Sequence, residues 1–240
     1  GIYVSGSDAT LEGVWVSDNV PSAIVDSGRG LQIQSDEATN EGSGVDIRGS
    51  VVSANATAAV VVDSSTAALS DTRVEATQPS PDLRFGIGVQ AQNKDMTGAP
   101  SSLTLVRTLI AQNHDVGVMV LASDAAISDS LVTGTLPQAS DGLFGDGITL
   151  IRSITVPASA TIHNSRIVDN GRAGVSVFGA TANISALRLA CNVFDLALEP
   201  AGEVEGMLQD GGENLCGCEQ TEECKAVTTG IAPPEAIETL

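Results

Sequence analysis

The chain has 240 residues, of which 42% are hydrophobic and only 2% are aromatic. Asp and Glu number 30 against 11 Lys and Arg, and the resulting formal net charge of -19 disfavours nucleic acid and anionic membrane surfaces as partners. No apolar run reaches the roughly eighteen residues that a membrane-spanning helix needs, so we expect no membrane insertion.

The first predicted element is a short strand from Gly1 to Val4, in which Gly is followed by an aliphatic, any and a second aliphatic residue. Aliphatic residues at alternate positions are typical of a strand with one buried face. The same unit recurs at Gly30, Ala59, Gly86, Gly117, Gly147 and Gly174, with a variant at Asp195. Because later repeats place this unit in the middle of a coil, we expect further coils or domains of the same chain upstream of Gly1.

A column of Asn and Thr residues lies between these strands, at Asn19, Asn55, Thr77, Asn113, Thr135, Asn170 and Asn192. Its spacing alternates between 35 or 36 residues and 22 residues, which indicates a tandem repeat of long and short coils. An inward Asn at a corner can bond the local backbone and the Asn of the next coil, so the column predicts a buried ladder. Two aliphatic columns should be buried beside it: Val16, Val52, Val74, Ile110, Val132, Ile167 and Leu189, and Leu11, Ile47, Leu69, Leu105, Ile127, Ile162 and Ile184.

Short strands without helical periodicity predict coils of about three strands, stacked so that equivalent strands pair in parallel. The sequence therefore predicts an all-β fold, a parallel β-helix (solenoid) of about eight coils over residues 1–199. Residues 200–240 form the predicted Cys-containing C-terminal cap and tail, with Val204, Met207 and Leu208 covering the last coil.

The ladder and the Gly-led strands resemble the right-handed parallel β-helix repeat proteins of the pectate-lyase-like superfamily. This resemblance covers residues 1 to about 199 and implies a right-handed solenoid. The superfamily includes polysaccharide lyases, polygalacturonases, pectin methylesterases, alginate epimerases, phage tailspikes and surface proteins. It therefore implies a carbohydrate polymer as a partner but does not choose an activity.

Four cysteines lie near the C-terminal end, and four cysteines allow three pairings. Stacking of the coils favours a bond from Cys191 to Cys216, which leaves Cys218 with Cys224. The alternative is a zinc site, for which Cys-x-Cys is a poor spacing and no His lies nearby. Disulfides imply an oxidising compartment, and hence a secreted or cell-surface protein.

The long coils carry two sets of insertions, one on each side of the Gly-led strand. The first set spans residues 20–29, 78–85 and 136–146, and the second spans 35–43, 91–101 and 152–159. Equivalent loops should stack into two walls with a groove between them. The predicted outward residues of the groove floor carry no charge: Gln32, Val61, Gly88, Met119, Thr149, Ser176 and Ala197.

This uncharged floor lacks the carboxylates that a polysaccharide hydrolase or lyase needs. The peptide Asn113-His114-Asp115 partly matches an epimerase motif, but its place in a tight turn favours a solvated turn. Charged and aromatic residues gather instead in the walls, and they form the candidate ligand-binding groove: Asp26, Asp82, Arg84, Phe85, Asp141, Phe144, Asp146 and Arg152. Carboxylates, guanidinium groups and rings together suit a sugar, although acidic loops that are merely solvated are the alternative.

Two functions remain open from the sequence. The first is a binding or structural module, secreted or displayed at the cell surface and associated with glycans. The second is a polysaccharide lyase, epimerase or hydrolase that acts in the loop-walled groove. No cofactor is expected, except that a wall loop could bind Ca²⁺. The net charge of -19 predicts a neutral glycan, or an acidic one bridged by calcium.

Overall fold

A computed structural model describes residues 1–22, 27–93, 99–219 and 223–237. This part of the chain contains 24 strands arranged in three parallel sheets, which we call sheets 1, 2 and 3. It contains no helix that is long and apolar enough to cross a membrane. The successive strands of the chain pass from sheet 1 to sheet 2 to sheet 3, and each then pairs with its equivalent one coil later.

Sheet 1 contains nine strands, in the spatial order β1 (Ile2–Ser5), β4 (Leu31–Gln34), β7 (Ala58–Asp63), β10 (Ile87–Gln92), β13 (Val116–Leu121), β16 (Asp146–Ile151), β19 (Ala173–Phe178), β22 (Phe194–Glu199) and β24 (Ala226–Val227). Sheet 2 contains eight: β2 (Asp8–Glu12), β5 (Gly44–Arg48), β8 (Thr66–Ser70), β11 (Ser102–Val106), β14 (Asp124–Ser128), β17 (Ser159–His163), β20 (Thr181–Ser185) and β23 (Met207–Asp210). Sheet 3 contains seven: β3 (Trp15–Ser17), β6 (Val51–Ser53), β9 (Arg73–Glu75), β12 (Leu109–Ala111), β15 (Leu131–Thr133), β18 (Arg166–Val168) and β21 (Arg188–Ala190). The predicted stacking of equivalent strands is confirmed.

The core lies between the three sheets and is filled by the predicted aliphatic columns. Thirteen of those fourteen side chains are buried, and Leu11 is partly buried against the same core. Leu11 lies in β2, which has a neighbouring strand on one side only, so its side chain is less covered. Each coil alone is too thin to bury an apolar face, so stacking supplies the hydrophobic stabilisation.

The Asn ladder is also confirmed. The Asn19 side-chain amide donates to Asn55 Oδ1 over 2.6 Å, and Asn170 donates in the same way to Asn192 over 3.0 Å. Asn55 also donates through Nδ2 to the carbonyl of Val16, 3.1 Å away. These bonds join one coil to the next and satisfy backbone groups at the corner, which would otherwise be buried without partners.

Where a Gly leads a strand of sheet 1, its closeness to this ladder leaves little room for a side chain. A Cβ placed on Gly30 would lie 2.8 Å from Asn55 Nδ2, and one on Gly88 would lie 2.8 Å from Asn113 Nδ2. The repeat pattern predicted Gly86 as the leading Gly of β10. The pairing of Val89 with Val60 instead places Gly88 at the leading position, beside Ala59. Consequently Gly88 faces the ladder, and Gln90 takes the outward position that had been assigned to Gly88.

The cysteine pairing differs from the prediction, although all four cysteines form disulfides. The bonds join Cys191 to Cys218 and Cys216 to Cys224. Cys216 follows Leu215, which pairs with sheet 3, and its side chain is buried in the core. Cys191 and Cys218 are both exposed, so they pair at the surface, whereas the buried Cys216 pairs with Cys224.

The segment after β22 extends the solenoid in two places. β23 pairs with β20 in sheet 2, and β24 pairs with β22 in sheet 1. Leu208 packs against the core as predicted, whereas Val204 and Met207 are exposed. The reason is the alternation of β23, which directs Leu208 inward and its neighbour Met207 outward.

Candidate functional site

The outer face of sheet 1 forms the floor of a trough, flanked by the wall loops at 78–85, 136–146 and 152–159. Strand pairing aligns two outward rows along this floor. The first row is Tyr3, Gln32, Val61, Gln90, Met119, Thr149, Ser176, Ala197 and Val227. The second row is Ser5, Gln34, Asp63, Gln92, Leu121, Ile151, Phe178 and Glu199. Most of these side chains are buried, which outward residues of an open groove would not be.

The trough is covered by the chain's own C-terminal segment, residues 228–237, which we call the strap. At one end the Glu199 carboxylate accepts hydrogen bonds from the backbone N–H groups of Thr229, at 2.7 Å, and Gly230, at 3.0 Å. At the other end Ile237 donates its N–H to Gln90 Oε1 and accepts from Gln90 Nε2, both over 3.2 Å. The strap therefore runs along the axis of the solenoid, from β22 back across to β10.

A second apolar cluster forms between the strap and the middle of the floor. Ile237 is 3% exposed and packs with Val61, Ile87 and Met119 on the outer face of sheet 1. Ile231 and Ala236 lie at the edge of the same cluster. The uncharged part of the floor that was predicted from the sequence is thus a docking surface for the strap.

Six of the eight predicted site residues line cavities beside the strap. Asp82, Arg84, Phe85 and Arg152 line a cavity of about 1030 Å³. Asp141 and Phe144 line a second cavity of about 570 Å³, to which Arg84 also contributes. Of the remaining two predicted residues, Asp146 is fully buried and Asp26 lies outside the described residues.

Arg84 lies at the boundary of the two cavities and has three neighbours. Its guanidinium group forms an ion pair with Glu235 of the strap and lies 4.0 Å from an Asp82 oxygen. The guanidinium carbon also lies 4.8 Å from the centre of the Phe85 ring, within range of a cation–π interaction. Asp82 accepts a bond from Ser80 Oγ, and this bond lowers the pKa of Asp82 against the opposing effect of burial.

Asp146 belongs to the base of the wall and not to its surface. The Arg172 guanidinium group donates to both oxygens of Asp146, through Nε at 2.8 Å and through Nη2. The N–H of Ala173, at 3.1 Å, and the hydroxyl of Ser176, at 2.7 Å, add two further bonds. Arg172 also lies over the Phe144 ring, with its carbon 5.6 Å from the ring centre. Because both of its carboxylate oxygens accept hydrogen bonds within the protein, Asp146 has a structural role here and not the ligand-binding role that was predicted.

The second outward row carries two carboxylates that the sequence interpretation missed, Asp63 and Glu199, both fully buried. Burial by itself would raise the pKa of Glu199, but the bonds from Thr229 and Gly230 and the charge of Arg172 outweigh it and lower the pKa. The four-residue Gly-led unit contains only one outward position, so it does not include these two acids. The signal for them was alternation, since both lie two residues beyond the first row.

Asp63 belongs to a buried polar group at the β4 to β10 end of the trough. Gln92 donates to Asp63 Oδ2 over 3.1 Å, and Arg29 donates to Gln32 Oε1 over 2.6 Å. Burial lowers the pKa of Arg29 to about 10, and the nearby charge of Asp63 partly opposes that shift. Side-chain amides thus replace water around two charged groups on this part of the floor.

Asp115 is buried, and its interpretation as part of a solvated turn is wrong. Its side chain is 1% exposed, and its carbonyl accepts the N–H groups of Gly145 and Asp146 from the wall. Burial is the largest cause that raises the pKa of Asp115 to about 7; the charges of Asp146 and Asp141 act in the same direction, and Arg84 opposes them. Asp115 is therefore a carboxyl group that can hold a proton near neutral pH.

Within the described residues, no three or more His, Cys, Asp or Glu side chains converge as a metal ion would require.

Comparison with known proteins identifies the architecture and little else. A family described as a right-handed beta helix region matches residues 1–189 of the chain. No curated protein and no solved structure matches it. The match covers most of the solenoid, and that family description specifies the fold and its handedness without a ligand or a reaction.

Proposed function

Because the chain belongs to the right-handed β-helix family, we propose that it is a glycan-binding module that takes an extended polymer along its trough. The observation that carries this proposal is the grouping of Arg84, Phe85, Asp82 and Arg152 around one cavity of about 1030 Å³. Guanidinium and carboxylate groups can hydrogen-bond the hydroxyls of a sugar ring, and an aromatic ring can pack against its apolar face.

Arg152 supports this proposal because its guanidinium group is not committed to the fold. Its Nε donates to the Ser153 carbonyl over 3.0 Å, but no carboxylate of the described residues lies within ion-pair distance. By contrast, Arg107 on the opposite side of the solenoid is fully paired with Asp71 at 2.7 Å. A cavity-lining guanidinium with free donors is suited to hydrogen-bond a ligand.

The proposed location of the protein is the cell exterior or the cell surface. Two disulfides fit an oxidising compartment, where such bonds persist. The net charge of -19 favours a neutral glycan at low ionic strength, or an acidic one bridged by calcium.

A glycan array with and without calcium tests this function. Arg152→Ala should weaken binding of any captured glycan about ten-fold or more, since hydrogen bonds to charged groups contribute about 1.5–3 kcal/mol. Arg107→Ala is the matched control, because it removes an exposed arginine outside the trough, and its binding should be unchanged. An array on which no glycan is retained, or equal losses in both variants, would remove the proposal.

A further inference from the structure

The strap is held firmly at its ends and loosely in its middle. Glu199 supplies the bonds at one end, from 30 and 31 residues away in sequence, and Gln90 supplies those at the other end, from 147 residues away. Between Gly230 and Ile237, no backbone hydrogen bond to another described residue is present. Only Pro234 and Ile237 are buried, whereas Ala232, Pro233 and Glu235 are exposed.

The surface under the strap is not the kind that a permanent cover requires. Its cavities of about 1030 and 570 Å³ leave the strap in incomplete contact with the walls, unlike the close packing of a protein interior. Arg84 is held there by Glu235, a half-exposed pair of the kind that contributes little to stability. A cover with a purely structural role would be expected to pack against apolar side chains along its whole length.

The chemistry of the strap resembles that of an extended ligand. It presents a carboxylate to Arg84, an apolar side chain to the floor cluster around Met119, and backbone amide groups to Gln90. Pro233 and Pro234 favour an extended backbone, which suits a linear trough. Each contact engages a group that a polymer in the trough would also meet.

We propose that the strap is a displaceable internal ligand of the trough, which competes with the external glycan and is released when that glycan binds. This inference rests on the proposed glycan function. Glu235 stands in for a polar group of the ligand at Arg84, and Ile237 is the end that lifts from the floor. Because the strap is tethered through β24, its effective concentration at the trough is high, and an external ligand must overcome it.

The first experiment uses the full-length chain with Glu235→Gln and Ile237→Ser, which together remove the ion pair and the buried side chain. The probe is a fluorescent peptide with the native sequence of residues 228–237. We expect saturable binding to this release variant and at least ten-fold weaker binding to the unaltered protein, whose own strap competes. A peptide carrying the same two substitutions is the matched control and should bind at least ten-fold more weakly to the release variant.

Hydrogen exchange gives an independent measurement on the same proteins. Amides of residues 231–237 should exchange at least ten-fold faster in the release variant, while strands of sheets 2 and 3 exchange at unchanged rates. Equal peptide binding to both proteins, absence of peptide binding, or unchanged exchange in the strap would each overturn the inference.

The glycan array separates this inference from the proposed function. Tighter glycan binding by the release variant supports competition between strap and glycan. Equal glycan binding by both proteins would overturn the competition while leaving the glycan function in place. If neither protein binds glycan but the peptide binds the release variant as expected, the glycan function and the competition with glycan are both wrong. The displaceable strap is then still supported.

Discussion

Removal of Arg172 should destabilise the protein more than removal of any exposed arginine. Arg172→Ala leaves the Asp146 carboxylate fully buried without its only ion-pair partner among the described residues. Breaking such a pair by removing one partner costs about 3–5 kcal/mol. Ala173 and Ser176 continue to donate hydrogen bonds to Asp146, so the lower end, about 3 kcal/mol, is expected. For a chain of this size that loss lowers Tm by about 6–12 °C.

Thermal unfolding followed by far-ultraviolet circular dichroism measures this effect at a fixed scan rate. Arg107→Ala is the matched control, since its ion pair with Asp71 is exposed and screened by solvent and should contribute little to stability. A double variant, Asp146→Leu with Arg172→Met, removes both charges at once. It should recover much of the lost stability, because a buried pair replaced by apolar residues of similar volume is often neutral.

The reasoning would be refuted if Arg172→Ala lowered Tm no more than Arg107→Ala does. A double variant less stable than Arg172→Ala alone would also contradict it, because the cost would then lie in lost packing against Phe144 rather than in an unpaired charge.

Two further predictions concern a titrating group and the ladder. A folded pKa of about 7 for Asp115, against an ordinary value of 3.8, means that the unfolded chain loses this proton first as pH rises. The contribution of protonated Asp115 to the free energy of unfolding is therefore fully present below about pH 4. It falls by about 4 kcal/mol as the pH rises to about 7. Asp115→Asn should raise Tm at pH 8 and leave it nearly unchanged at pH 4, and an equal change at both pH values would contradict the linkage. In the ladder, Asn113 accepts two bonds from Thr77, so Asn113→Ala should cost about 2–4 kcal/mol in chemical denaturation, with a smaller loss for Asn113→Thr. Equal losses for the two substitutions would contradict this prediction, because the Thr hydroxyl would then restore none of the lost hydrogen bonding.

Most of the solenoid could be predicted because its rules repeat locally. The spacing of the Asn and Thr column, the aliphatic pairs and the small residue beside the ladder recur in every coil, so errors in one repeat are corrected by the others. The shift of β10 from Gly86 to Gly88 shows where this averaging fails. Both glycines satisfy the pattern, and only the contact of Gly88 with Asn113 chooses between them.

The candidate site could be predicted only in part, because its residues come from loops and from a distant segment. Arg84, Phe85 and Arg152 were found as wall residues, and the structure brings them to one cavity. Their relation to Glu235 could not be predicted, since no repeat connects the wall to the tail. The partner of Asp146 was missed for the same reason, because Arg172 lies in another coil, 26 residues away.

The sheets, the ladder and the buried columns of this protein can be derived from its sequence, because a period of two and a recurring corner residue specify strands and turns through local geometry. The tertiary structure alone decided the disulfide pairing and the course of residues 228–237. Cys216 turns into the core while Cys191 faces solvent, and this difference in direction cannot be obtained from spacing. The strap docks on the floor through the hydrogen bond from Ile237 to Gln90 and through the apolar cluster around Met119, and only the folded chain brings these distant parts of the sequence within reach.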